Sequence, residues 1–261
     1  MSLRDAVVWV TGASSGIGEA LVGPLVARGA RVAVSARRAE ALEALAHSWG
    51  DKGADVRAFP LDVTDRAATQ TVVAAIEQAF GRVDVAVLNA GTHVLGTRKP
   101  FDAQQFIDNM ALNYFGMLYG IEAVLPGMLA RGRGHIAGVS SLAGLRALPG
   151  AGGYGASKAA ASHMLDAIRF DLEPRGVLVT NITPGFVKTP LTDRNRYSMP
   201  FLMEVDRAAE ILVDGLERGK REIHFPKPLS WIVKTLRVLP YPVYQGIIKR
   251  ATGDRQKAVS G

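Results

Sequence analysis

The chain has 261 residues, 48% hydrophobic and 21% charged, with 28 glycines and 13 prolines, a balance that fits a globular protein and excludes a disordered one. It has no cysteine, which excludes a disulfide framework, a thiolate zinc site and a cysteine nucleophile. The formal net charge of +7 is unevenly placed: residues 1–219 hold 22 basic and 22 acidic side chains, whereas residues 220–261 hold 9 basic ones against Glu222 and Asp254.

Met1 to Asp5 shows no signal-peptide layout. Ala6–Thr11 is a β-branched apolar run that predicts a buried strand. A glycine-rich turn, Gly12–Gly18, leads into helical spacing at Ala20, Leu21, Leu25 and Val26, ending at Gly29. Arg31–Ala36 reads as strand, Ala39–Ala46 as helix and Val56–Leu61 as strand, ending at Asp62. Asp65–Phe80 reads as a helix stopped by Gly81, and Val83–Leu88 as a fourth strand. A helical pattern runs, with a break allowed, from Asp102 to Leu129. His135–Val139 is a fifth strand, and Tyr154–Leu172 a long helix closed by Pro174 and Gly176. Val177–Ile182, the helix Asp206–Leu216 and the short strand Glu222–Phe225 complete the alternation. Strands apolar on both faces, alternating with helices, predict one α/β domain over residues 1–226, a doubly wound parallel sheet of about seven strands with helices on both faces. Residues 227–261 break the pattern and read as a basic, apolar extension packed on or beside that domain.

The turn Thr11-Gly12-Ala13-Ser14-Ser15-Gly16-Ile17-Gly18 joins the first strand to the first helix. Glycines let a backbone approach a pyrophosphate, and the helix N-terminus offers N–H groups and partial positive charge. A turn kept for packing alone is the alternative. A chain that uses NAD usually ends its second strand with a carboxylate for the ribose hydroxyls. Here the stretch is Ser35-Ala36-Arg37-Arg38, and two guanidiniums suit the 2′-phosphate of NADP. Asp62-Val63 and Asn89-Ala90-Gly91 fall at the carboxyl ends of the third and fourth strands, the edge where open α/β sheets bind ligands. Asp62-Val63 can hold an adenine amino group, Asn89 can tie strand ends together, and Gly91 leaves room for a cofactor.

Tyr154 and Lys158 lie four apart and share one face of a helix. A free tyrosine has a pKa of about 10, and a nearby ammonium favours the phenolate. Lys158 can therefore tune Tyr154 as an acid/base. Ser141, thirteen residues upstream of Tyr154, can orient a substrate carbonyl oxygen beside the tyrosine. Asn113 has low helix propensity within a helical stretch and fits a buried, water-binding role.

Taken together, Thr11-Gly12-x-x-x-Gly16-x-Gly18, Asp62-Val63, Asn89-Ala90-Gly91, Asn113, Ser141, Tyr154-x-x-x-Lys158 and Pro184-Gly185 with Thr189 make residues 4–226 resemble a short-chain dehydrogenase/reductase of the NADP-preferring carbonyl reductase type. The resemblance implies a Rossmann fold and hydride transfer at a carbonyl/alcohol centre. It implies Tyr154 as general acid/base, Ser141 steadying the substrate oxygen, Lys158 holding the nicotinamide ribose, and Asn113 holding a water in a proton relay. It selects Ser141 over Ser140 through the Ser-x-x-Gly pattern that ends at Gly144. The cofactor contacts it implies are Gly12, Ser14, Ser15, Gly16, Ile17, Gly18, Arg37, Arg38, Asp62, Val63, Asn89, Ala90, Gly91, Tyr154 and Lys158. The loop Pro184, Gly185, Val187 and Thr189 would meet the nicotinamide carboxamide. No metal site is implied. Leu88 stands where the family often has a second asparagine, and Ser15 where some NADP users carry a base, which leaves phosphate recognition to Arg37 and Arg38. The family is usually a homodimer or homotetramer built on its long helices, here near 102–131 and 154–172.

By the same resemblance residues 190–205 form a mobile lid, with Tyr197, Met199, Phe201, Leu202 and Met203 as an apolar lining and Leu145, Leu148 and Ala151 as further wall. No cationic cluster is dedicated to a substrate anion, so the expected substrate is a lipophilic small-molecule ketone, aldehyde or alcohol. In the extension, Leu229, Ile232, Val233, Leu236 and Leu239 keep helical spacing up to Pro240 and Pro242, and Val243, Tyr244, Ile247 and Ile248 continue it. With Trp231, Tyr241 and interleaved cations, residues 227–250 suit peripheral membrane contact, a subunit contact or a cap on the pocket. Interleaving with apolar residues argues against nucleic acid. The location expected is cytoplasmic, or peripheral to a membrane. The alternative is a cofactor-binding regulatory or membrane-surface protein of the same fold with little turnover. An epimerase or dehydratase would want a longer substrate segment, and hydrolysis through Ser141 lacks the final glycine of a nucleophile elbow.

Overall fold

The computed structural model describes residues 2–93, 101–193 and 198–259, the side chains of 252–259 excepted. Seven strands form one sheet: β1 (Val7–Thr11), β2 (Arg31–Ser35), β3 (Val56–Ala58), β4 (Val85–Leu88), β5 (Gly134–Val139), β6 (Val177–Pro184) and β7 (Glu222–Phe225). Their order is β3-β2-β1-β4-β5-β6-β7, and every neighbouring pair is parallel. Successive strand residues point to opposite faces. Val8 and Val10 therefore join Val32, Val34, Val85 and Val87 in one apolar layer, while Val7 and Trp9 join Ala33, Ala86 and Ile136 in the other.

Both layers are covered by helices. The first takes Leu25 from α2 (Val22–Ala27), Leu42 from α3 (Ala39–Gly50) and Leu212 from α8 (Val205–Glu217), next to the short α1 (Gly16–Ala20). The second takes Val73 and Ile76 from α4 (Arg66–Phe80), Met117 and Ile121 from α6 (Gly116–Ala130), and Leu165 from α7 (Gly152–Leu172). Each fully buried side chain of this kind stabilises the fold by roughly 1.5–3 kcal/mol. The stops follow local chemistry: the Asp65 side chain accepts from Ala68 N at the start of α4, and Gly81 ends it in the left-handed region at φ 89°.

Four elements depart from the sequence reading. The third strand stops at Ala58 instead of Leu61, although Phe59 N and Leu61 N still donate to Val34 O and Ala36 O. The third helix runs on to Gly50, because Trp49 packs against the first layer. The first helix divides at Leu21 into α1 and α2. The stretch 102–129 divides into α5 (Ala103–Met110), a π-helical turn (Ala111–Phe115) and α6. Beyond the sheet lie α9 (Lys227–Val238) and α10 (Tyr241–Val259). Among the described residues no helix is long and apolar enough to cross a membrane.

Candidate active site

The strand order reverses direction at β1, with β2 on one side and β4 on the other. That switch opens a crevice at the carboxyl ends of the strands. Asn89 spans it: its Nδ2 donates to Thr11 O at 2.9 Å, while Asn89 N and Ala90 N both donate to Thr11 Oγ1 at 3.0 Å. Gly12 and Gly16 turn with φ of +69° and +60°. Gly18 is demanded by close packing, since a Cβ there would fall against Gly12 O and 2.6 Å from Asn89 Nδ2. The result is a bare backbone cradle between β1 and α1, with Ile17 packed on the first core layer.

Arg38 closes one side of the cradle. Its Nη2 donates to Ser14 O at 2.8 Å and its Nε to Ser14 Oγ at 3.2 Å. Arg37 beside it is exposed, and Ser15 caps α1 in extended conformation with no side-chain bond. Asp62 Oδ1 accepts from Thr64 N and Thr64 Oγ1 at 3.0 and 2.8 Å, which holds the turn after β3 beside β2. Val63 sends its side chain inward: a Cβ on Gly116 would meet its Cγ2 at 2.7 Å.

On the other side of the crevice, β6 runs into Gly185, where a Cβ would lie 2.8 Å from Leu229 Cδ2 of α9. Val187 is buried and bridges Met203. Thr189 is held through its N and Thr192 Oγ1 at 2.9 Å and approaches the cradle, where a Cβ on Gly16 would be 3.3 Å from Thr189 Cβ. The loop after β6 thus meets the glycine turn. Met203, expected in a lid lining, is half-buried and packs against the first core layer, its N donating to Phe186 O at 3.0 Å. Phe201 and Leu202 are exposed, and Tyr197 lies outside the described residues.

Four expected reacting groups come together between β4, β5 and α7. Lys158 is buried and donates from Nζ to Val139 O at 2.8 Å. Burial lowers its pKa to about 8, because an ammonium loses its hydration there. Its Nζ is 6.0 Å from the centre of the Tyr154 ring and 3.1 Å from where a Cβ on Gly91 would be; Gly91 is the space into which the lysine reaches. Ser141 Oγ accepts from Ala143 N at 3.1 Å. Gly144 lets that turn lie on α7, since a Cβ there would be 2.7 Å from Ala159 N and Lys158 C. Ser140 faces away, donating to Asn181 Oδ1 and Ile182 O at 2.7 and 2.9 Å.

Asn113 is buried in the π-helical turn. Both donors are used, on Thr92 O and Ser157 Oγ, each at 2.9 Å, and Oδ1 accepts from Thr92 N at 2.7 Å. Ser157 Oγ in turn donates to Tyr154 O at 2.8 Å. These bonds make the side chain a clamp, which ties the segment after β4 to the start of α7.

The clamp fixes a residue that the sequence reading missed. His93 follows Thr92, and its ring lies 4.7 Å from that of Tyr154, tilted by 35°. Its Nε2 is buried with no hydrogen-bond partner among the described residues, and burial lowers its pKa, which keeps the imidazole neutral near pH 7. Its only signal in the sequence is its place, two residues past Gly91 at a strand's carboxyl end.

This crevice, with a glycine cradle at one end and a serine, tyrosine and lysine at the other, defines a dinucleotide-dependent oxidoreductase fold. The chain belongs to the short-chain dehydrogenase/reductase family: the short chain dehydrogenase pattern matches residues 6–199. It is 41% identical over 250 residues to an uncharacterized oxidoreductase of Myxococcus xanthus, covering 96% of this chain and 98% of that one. It is 38% identical over 193 residues to the 2-(R)-hydroxypropyl-CoM dehydrogenase of Xanthobacter autotrophicus, covering 71% and 76%. Among solved structures, actinorhodin polyketide ketoreductase with NADPH superposes with a TM-score of 0.78 at 27% identity, covering 86% and 97%. A short-chain dehydrogenase/reductase from Burkholderia phymatum in complex with NAD reaches 0.82 at 23% identity, covering 90% and 93%, a likeness of fold.

Proposed function

We propose that this oxidoreductase transfers hydride between NADP(H) and a carbonyl or secondary alcohol of a lipophilic small molecule. The observation that carries the reading is the convergence of Tyr154, the buried Lys158 and Ser141 opposite a cradle that admits no side chain. The cradle fits a dinucleotide, with Gly12, Ser14, Ser15, Gly16, Ile17 and Gly18 about the pyrophosphate and Arg37 and Arg38 beside the adenosine ribose. Asp62 and the Val63 backbone would face the adenine. Asn89, Ala90 and Gly91 would line the middle, and Pro184, Gly185, Val187 and Thr189 the carboxamide end. The bound nicotinamide supplies or accepts the hydride.

The chain's own residues do the rest. Ser141 orients the substrate oxygen. Tyr154 gives that oxygen a proton in reduction and takes it back in oxidation. Lys158 favours the phenolate by its charge and holds the ribose. Asn113 positions these groups through Ser157 and Thr92. Two adjacent guanidiniums and no carboxylate at the end of β2 support NADP over NAD. Residues 227–261 are an extension packed on or beside the domain of residues 1–226, and the long helices α5, α6 and α7 serve a homodimer or homotetramer, cytoplasmic or peripheral to a membrane.

The test is turnover of a panel of ketones, aldehydes and secondary alcohols with each cofactor. NADPH is expected to bind more tightly than NADH, and Arg37→Ala to shrink that gap. Tyr154→Phe is expected to abolish turnover and leave the NADPH Kd near that of the parent. Retained turnover in Tyr154→Phe would reject the proposed acid, and equal affinities in the parent would reject the NADP reading.

A further inference from the structure

The cationic end of the chain is also where apolar side chains face solvent. Trp231, Ile232, Val238, Tyr241, Val243 and Ile247, all in α9 and α10, are exposed, Val238 by 79% and Trp231 by 61%. A groove between the two helices continues this surface through Thr235, Leu236 and Leu239. Cations border it. Lys227 and Lys234 flank Trp231 at i−4 and i+3, with Lys234 Nζ 5.5 Å from the indole. Arg250 follows Val243 by two turns on the same helix face. Arg237, Lys249 and Arg250 are exposed and join no ion pair among the described residues.

The platform is firmly held. The Tyr244 hydroxyl donates to Ala147 O, the Arg146 guanidinium lies 4.4 Å over the Tyr244 ring, and its Nη2 donates to Leu239 O at 3.3 Å. Lys234 pairs with Glu222 at 2.7 Å. The inner face of α9 is already used, with Ser230 buried and Leu229 against Gly185. The outer face is therefore apolar with nothing over it among the described residues.

We propose that this outer face of α9 and α10 docks the protein peripherally on an anionic lipid bilayer. An apolar stripe with Trp and Tyr beside it and lysines at its edge suits a helix lying in the interface, its cations reaching up to the headgroups. Charge selects the partner. All of the net charge of +7 lies in residues 220–261, so an anionic surface attracts this face while the neutral body does not oppose it. Each cation near such a surface favours binding about fivefold. A second copy meeting the same face would set cation against cation across a two-fold axis. This inference does not depend on the reading of the catalytic site.

The experiment is co-sedimentation of the full-length protein with vesicles of phosphatidylcholine alone, and of phosphatidylcholine with about one third phosphatidylglycerol. The protein is expected to sediment with the mixed vesicles and to bind plain ones about tenfold less well or worse, with binding lost at high salt. Lys249→Glu with Arg250→Glu is expected to weaken binding about 25-fold or more, and Trp231→Ser with Ile232→Ser about tenfold, while the melting temperature and NADPH binding stay those of the parent. Protein left in solution with the mixed vesicles would overturn the proposal, as would unchanged binding in the tryptophan–isoleucine variant. A dimer that this variant splits, with no vesicle binding by the parent, would assign the face to a second copy instead. Should the apolar variant melt early, the exposed charge pair still decides the matter.

Discussion

Lys158 is the residue whose physical cost is clearest. An ordinary lysine titrates at 10.5, and burial brings this one to about 8. That gap corresponds to about 3 kcal/mol against the folded state below pH 8. The folded protein binds the proton less tightly than the unfolded chain does. The penalty is therefore complete below about 8 and is relieved as pH rises from there through 10.5. Lys158→Met is expected to raise the melting temperature of the cofactor-free protein at pH 7, to lose that advantage above about pH 10, and to be inactive. Calorimetry across pH checks the sign. His93 carries a second prediction. Its ring holds one face of Tyr154, so His93→Ala is expected to lower kcat on the order of tenfold by loosening the phenol. His93→Phe keeps the contact and is expected to restore most of kcat, with NADPH affinity unchanged in both. Tyr154, Lys158, Ser141 and the glycine turn were readable because their residue types and spacings state a chemistry. His93 was not, because a single histidine after a strand is common and its meaning lies in a ring on another element.

At the scale of elements, strands and stops were legible where short-range chemistry sets them. The apolar runs at Val7–Thr11 and Val85–Leu88, and Gly81 after α4, needed no tertiary knowledge. Boundaries moved where a distant contact intervened, as at Trp49, whose indole packs 3.3 Å from where a Cβ on Gly23 would sit. The π-helical turn at Ala111–Phe115 leaves no mark in apolar spacing, because widening one turn shifts the pattern by a single residue. It is stabilised by what Asn113 reaches, two segments far away in sequence. The approach of the Ser141 turn to α7 is a similar long-range demand. Gly144→Ala would drive a Cβ into the backbone of Lys158 and Ala159 and push the serine away from the tyrosine. We expect kcat to fall on the order of a hundredfold, with far-ultraviolet circular dichroism unchanged, measured by steady-state kinetics.

For the whole molecule, the extension is the open question that packing makes concrete. Leu229 fills the space above Gly185, and Tyr244 is buried against the segment that leads to Tyr154. Ending the chain at 226 uncovers both. With roughly 1.5–3 kcal/mol per buried apolar side chain, the melting temperature of the shortened protein is expected to fall on the order of 10 °C, which scanning calorimetry measures. NADPH binding at low temperature is expected to survive in weakened form, because the cradle between β1 and α1 is held by Asn89 and Thr11 while only the Gly185 end of the crevice loses its cover.

Alternation of apolar strands and helices determined the layered parallel sheet from sequence alone, since a segment's period fixes which side must be covered. Motif spacing likewise determined the family resemblance and the candidate reacting residues, because such groups are set at fixed distances along a helix or at a strand end. Only the tertiary structure decided what each group touches. It showed Asn113 bonded to Thr92 and Ser157, brought His93 onto Tyr154, and set the half-buried Met203 against the core layer. It also divided the extension into an inner face that packs and an outer face that does not. Those facts depend on which side chains meet across long stretches of chain, and one-dimensional spacing carries no record of such meetings.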